Sequence, residues 1–116
     1  MKLSLEVREN QSGTVVCCRG RIVCREEAAL SERVSELRPH LRRLVLDLGG
    51  VEAIDSAGLG ELVLLHMWAH AAGCEVKLAG ASADIRQLLE LTNLASVFEI
   101  YASAEQALGS FRKRVA

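Results

Sequence analysis

The run Leu44–Leu48, "LVLDL", restricts the fold more than any other stretch of this 116-residue chain. It is apolar apart from Asp47 and lies between Arg42-Arg43 and Gly49-Gly50. A short, nearly continuous apolar run is the pattern of a strand buried on both faces, because a half-exposed strand would alternate. After the segment "GGVEAI", which reads as a short loop, a second apolar stretch runs from Ala57 to about Ala72 with helical length. Gly73 closes it as a left-handed terminator. A buried strand feeding an apolar helix is the first half of a β-α-β unit. Such units bring parallel strands, right-handed crossovers and helices packed on the sheet.

The remaining pattern fits around that unit. "KLSLEV" alternates with period two and reads as a strand, "NQSG" is turn chemistry, and "TVVCCRGRI" is a second strand pairing back as a hairpin. "REEAALSERVSELRPHL" switches to helical spacing, with Ala29, Leu30, Val34 and Leu37 on one side and Pro39 as its stop. Downstream, "CEVKLAG" and "SVFEIYA" read as strands. "SADIRQLLELTN" is a helix with Ser82 as N-cap and Asn93 as its stop, and "SAEQALGSFRKRV" a final helix opened by Ser103 with Gln106 at capping-box spacing. The order is ββαβαβαβα. It predicts a single α/β domain over 1–116, with a mixed, mostly parallel sheet covered by helices.

Composition narrows the functional classes. Fourteen basic residues against fifteen acidic give a net charge of −1, without the basic field of a nucleic-acid binder. No apolar run approaches a membrane span, and the N-terminus lacks the apolar core of a signal peptide. A soluble, cytoplasmic protein without direct membrane contact is expected. Cys17, Cys18, Cys24 and Cys74 include no C-x-x-C pair, so they read as reduced thiols packing as small apolar side chains. Cys17 and Cys18 are adjacent and would face opposite sides of their strand.

Enzyme chemistry finds little support. His66 and His70 have the i, i+4 spacing of zinc proteases, but Met67 follows the first histidine where the glutamate should stand. Gly58 and Gly60 are followed by Val63 where a dinucleotide fingerprint needs a third glycine, and no Walker lysine is present. Ser56, Asp55 and the distant His40 lack the elbow that would make a triad. No catalytic residue, metal or cofactor is expected. What stands out instead is "IDSAGLGEL", residues 54–62, at the start of the apolar helix. Asp55 or Ser56 can cap the helix, but a cap explains neither the second polar residue nor Ala57, Gly58 and Gly60. Small residues would leave the backbone open to another molecule. A phosphorylated hydroxyl at a helix N-terminus would sit at the positive end of the dipole.

"LVLDLGGVEAIDSAGLGELVLL", together with "GCEVKLAGASADIRQLLELTNLASVFEIYASAEQAL", resembles the STAS domain, and among STAS proteins most nearly the bacterial anti-sigma-factor antagonists. The similarity runs from the first hairpin to the last helix. It implies the mixed αβ fold read above and a regulatory role. In the antagonists, the serine after the aspartate is the target of an anti-sigma factor that is also a serine kinase; that position is Ser56 here. The unphosphorylated protein binds the anti-sigma factor and frees the sigma factor, phosphorylation breaks the complex, and a serine phosphatase resets it. The resemblance implies partner contact through Asp55, Ser56, Ala57, Gly58, Leu59, Gly60 and Val63, and leaves a homodimer open. Ala57 replaces a frequent second hydroxyl, Val23 stands where the family often carries an acid, and Asn93 replaces a frequent glycine. The run Leu62–Leu65 with Met67 and Trp68 has two readings: a helix wedged deep in the fold, or a surface near Leu59 and Val63 that docks a partner. A role as a non-switching STAS subunit of a scaffold or a lipid-transport ATPase complex is the alternative.

Overall fold

The computed structural model describes residues 3–23, 27–37 and 41–112. The expected stop at Pro39, the thiol of Cys24, the ring of His40 and the basic Lys113-Arg114 end lie outside the described residues, as does the side chain of Ala29. The elements are β1 (Ser4–Asn10), β2 (Gly13–Ile22), α1 (Glu27–Leu37), β3 (Arg43–Ile54), α2 (Ser56–Ala72), β4 (Glu75–Ala79), α3 (Ala83–Leu91), β5 (Glu99–Tyr101) and α4 (Ala104–Arg112). A 3₁₀ turn, Leu94–Ser96, precedes β5. The order is the expected ββαβαβαβα. One five-stranded sheet runs β1-β2-β3-β4-β5. β1 is antiparallel to β2, and every later pair is parallel.

The central strand behaves as its sequence demands. Leu44, Leu46 and Leu48 are fully buried toward α1, α2 and α3, while Val45 is fully buried toward Ala107 and Phe111 of α4. Burying each such leucine contributes roughly 1.5–3 kcal/mol. Among the described residues the sheet thus has two unequal covers, three helices on one face and α4 alone on the other.

Two expectations are corrected. "GGVEAI" is not a loop: β3 continues through it to Ile54, with Gly50, Val51, Ala53 and Ile54 paired to Arg19, Gly20, Arg21 and Ile22. β3 absorbs an extra residue against β2 at two places, between Cys17 and Arg19 and again between Gly20 and Arg21. These bulges bend the strand without ending the ladder, which hides the strand from a reading of its glycines as a turn. The last strand is also shorter than "SVFEIYA", because Leu94–Ser96 closes into a 3₁₀ turn that buries Leu94 and Phe98. The local stops match the sequence. Gly73 (φ 73°) ends α2, Asn93 (φ 64°) follows α3, and the hydroxyls of Ser82 and Ser103 accept N–H bonds from Ile85 and Gln106 at 3.2 Å each.

Under α4 lies a buried cation. Lys77 on β4 is 2% exposed, donates to the Ser110 hydroxyl and lies 3.3 Å from a carboxylate oxygen of Glu99. Its ammonium is 4.4 Å from the centre of the Phe111 ring and 5.3 Å from that of Tyr101. Hydrogen bond, carboxylate and ring faces together offset the loss of water around the charge.

Cys17, Cys18 and Cys74 are free thiols, and the adjacent pair does split between the faces: Cys18 is buried in the larger core, Cys17 half-buried beside the smaller one. Burial pushes the Cys18 thiol up to about 12, helped by the nearby charges of Cys17 and Asp47. An acid whose pKa is raised on folding stabilises the fold fully below its unfolded value and loses that contribution as pH rises through the folded value. Stability should therefore fall between about pH 9 and 12 in urea titrations. In Cys18→Ala, which has no thiol there to ionise, the fall over that window should be shallower.

Candidate functional site

The site is built where the end of β2 meets the start of α2. Ile54 pairs with Ile22, so the next residue, Asp55, arrives beside the last carbonyl of β2. Its N–H donates to the Ile22 carbonyl at 3.3 Å. Extended backbone at Asp55 (φ −103°, ψ −172°) then turns into the helix. Its carboxylate accepts the Gly58 N–H at 3.0 Å, and its own carbonyl accepts the Leu59 N–H at 2.9 Å. Asp55 is thus the cap, which settles the choice the sequence left open.

Ser56 is thereby relieved of any capping duty. It is the first helical residue, it is exposed, and among the described residues its hydroxyl makes no hydrogen bond. Ala57 and Leu59 are half-buried, Leu59 against the main core, whereas Gly60 is exposed with open space above its Cα. Gly58 departs from the expectation that it stays open to a partner. It is buried, and a Cβ there would lie 2.0 Å from the Ile22 carbonyl oxygen and 2.9 Å from an Ile54 methyl. Its smallness serves the packing of α2 onto β2 and β3.

From Ser56 an uncharged stripe continues along the outer face of α2. Gly58, Leu62, Leu65 and Ala69 turn inward, so Ser56, Gly60, Val63, Leu64 and Met67 turn outward at three- and four-residue spacing. Val63 is 38% exposed, Leu64 59% and Met67 60%. Leu64 also borders a groove of about 110 Å³ between α1 and α2, floored by Leu30 and Val34 and flanked by Trp68 and Glu61. The sequence reading placed the surface near Leu59 and Val63 and missed Leu64 and Met67. The signal was the four consecutive apolar residues Leu62–Leu65, which cannot all face inward on one helix.

The other candidates separate from this site. His66 and His70 stack with ring centres 6.3 Å apart, and His66 meets Phe98 edge-on at 5.4 Å. Among the described residues no group of three His, Cys, Asp or Glu side chains could hold a metal, and no helix is long and apolar enough to cross a membrane. Val23, half-buried, directly follows Ile22 and so stands next to the α2 start without supplying a charge.

Comparison with known proteins agrees with this architecture. The STAS domain family model matches residues 4–107. BtrV of Bordetella bronchiseptica, assigned as an anti-sigma factor antagonist, is 27% identical over 114 residues, covering 97% of this chain and 96% of that protein. The solved structure of tm1081 from Thermotoga maritima, similarly assigned, superposes with a TM-score of 0.87 at 21% identity, covering 93% of this chain and 94% of that one. The Bacillus cell fate determinant SpoIIAA in its phosphorylated form superposes with a TM-score of 0.73 at 14% identity, covering 92% and 98%.

Two glycines of the α2 start should behave oppositely. Gly58→Ala forces a methyl against a backbone oxygen that cannot swing away, and should cost about 3 kcal/mol or more in chemical denaturation. Gly60→Ala meets nothing within 4 Å and should stabilise the fold by about 0.5–1 kcal/mol through helix propensity.

Proposed function

The chain belongs to the STAS domain family, and from that premise we propose that it is an anti-sigma-factor antagonist switched at Ser56. In the unphosphorylated state it binds an anti-sigma factor with serine kinase activity and releases the sigma factor. Phosphorylation of Ser56 ends the complex, and a serine phosphatase restores it. The observation that carries this reading is the position of Ser56: an exposed hydroxyl, unneeded by the cap, at the head of an exposed apolar stripe. The relative BtrV, matched over 96% of its length, is assigned as an anti-sigma factor antagonist, which supports the general role.

A partner that covers Val63, Leu64 and Met67 gains from burying apolar surface that a lone protein leaves in water. At the N-terminal end of the same stripe the partner must also cover Ser56. Adding a dianion there places charge in a surface that binding would desolvate, which opposes the complex. The fold itself tolerates the group, because the unpaired N–H groups of the first helical turn favour an anion. Asp55 stays committed to the Gly58 N–H, so the helix start keeps its cap in both states. The protein is then a binding module whose chemistry is performed on it by others. Its place is the cytoplasm, where such a kinase and sigma factor act.

Incubation with its anti-sigma factor kinase and ATP should add one phosphate to the wild type, located at Ser56 by mass spectrometry. Ser56→Ala should stay unmodified yet bind. Ser56→Asp should bind at least about tenfold more weakly by calorimetry, a difference of about 1.4 kcal/mol. Equal binding by Ser56→Asp and wild type would overturn the switch.

A further inference from the structure

We infer that the free edge of β1 is a self-recognition surface, through which two copies of this chain join their sheets into one of ten strands. Among the described residues β1 pairs with β2 alone and closes one side of the sheet, so its outer edge carries backbone N–H and C=O groups without strand partners there. The edge is seven residues long, against three for β5 at the opposite side. It pairs with β2 without a register shift, so it offers an uninterrupted ladder.

Its side chains are self-complementary. Glu6 and Arg8 are exposed on one face of the strand, and among the described residues neither makes an ion pair. Leu5 and Val7 are half-buried on the other face, packed against the main core. A second β1, laid antiparallel about a two-fold axis through Val7, sets Glu6 of each copy opposite Arg8 of the other. Ser4 then meets Asn10, Val7 meets Val7, and Leu5 lies under the methylene stem of Glu9. Moving the axis to Glu6 opposes two glutamates, and moving it to Arg8 opposes two arginines. Parallel pairing in register sets every charge against its own kind. The charges therefore reject the neighbouring registers and favour one, as opposite charges directly across an antiparallel pair stabilise it and like charges do not. Arg8 currently donates to the Cys17 thiol at 3.3 Å, and its guanidinium keeps further N–H groups for a carboxylate.

The geometry leaves Ser56 out of the junction. β1 runs against β2, so the α2 start beside Ile22 lies toward the Ser4 end of β1. A two-fold axis at Val7 sends the two Ser56 sites to opposite ends of the joined sheet. Self-pairing therefore stands independently of the phosphorylation reading.

The test is sedimentation equilibrium on the full chain over a concentration series. Wild type should show a dimer that weakens with added salt. Glu6→Arg and Arg8→Glu, each placing like charges across the axis, should raise the dimer dissociation constant roughly tenfold or more while keeping the monomer's circular dichroism. The double variant Glu6→Arg with Arg8→Glu restores both pairs and should recover the wild-type constant. Val7→Pro, which places a ring and no N–H at the centre of the edge, should abolish the dimer. A monomeric wild type, single reversals without effect, or a double variant no better than the singles would each overturn the proposal.

Discussion

The carbonyl oxygen of Ile22 is the point on which the site depends. It accepts the N–H of Asp55, and it sits where Gly58 would carry a side chain. The first contact fixes where α2 begins, and the second fixes how closely the helix lies on the strands. Any larger residue at 58 would have to lift the helix start, taking the Asp55 carboxylate off the Gly58 N–H with it. The outward orientation of Ser56 follows from these inward contacts, because a helix whose positions 58 and 62 are held against the sheet has no freedom to rotate position 56.

The unequal covering of the sheet explains why α2 has apolar surface left over. Three helices share the larger face, and each presents its inner stripe to Leu44, Leu46 and Leu48. Leu62, Leu65 and Ala69 meet that need for α2. Leu64 and Met67 therefore contribute nothing to the core, yet nothing polar replaces them. On the other face α4 is held by Phe111 and by the Lys77–Ser110 contact, an arrangement with a directional, charged component that a purely aliphatic seat would lack. The end of that face beside β1 and β2 is left to polar groups, with Glu6, Arg8 and Arg19 exposed there.

Much of this was legible in the sequence where the cause is local. Gly73, Asn93, Ser82 and Ser103 stop or start helices through their own backbone and side-chain chemistry, so each could be read singly. Leu44–Leu48 likewise declares a doubly buried strand by its own composition. What escaped depends on a neighbour far along the chain. Gly49-Gly50 reads as the start of a short loop, but Gly50 is in ladder with Arg19 of β2, and a Cβ there would meet Arg19 at 2.6 Å and the Cys18 carbonyl at 3.0 Å. Gly58 reads as an open backbone for a partner because nothing in residues 54–62 reveals the Ile22 carbonyl. Leu64 and Met67 were visible as apolar but not as outward, since their facing is set by which residues the sheet takes in.

Val23 sharpens the electrostatics of the proposed switch. It follows the carbonyl that receives the Asp55 N–H, so a carboxylate in its place would add a second negative group beside the α2 start. With valine there, the Asp55 carboxylate is the negative group built into the helix start, and part of its charge is already engaged by the Gly58 N–H. A phosphate on Ser56 then meets a helix terminus whose dipole favours it and less opposition from the loop after β2. On the proposed switch, the penalty of phosphorylation would fall on the complex and little of it on the fold. The apolar stripe would then supply the affinity that the added charge opposes.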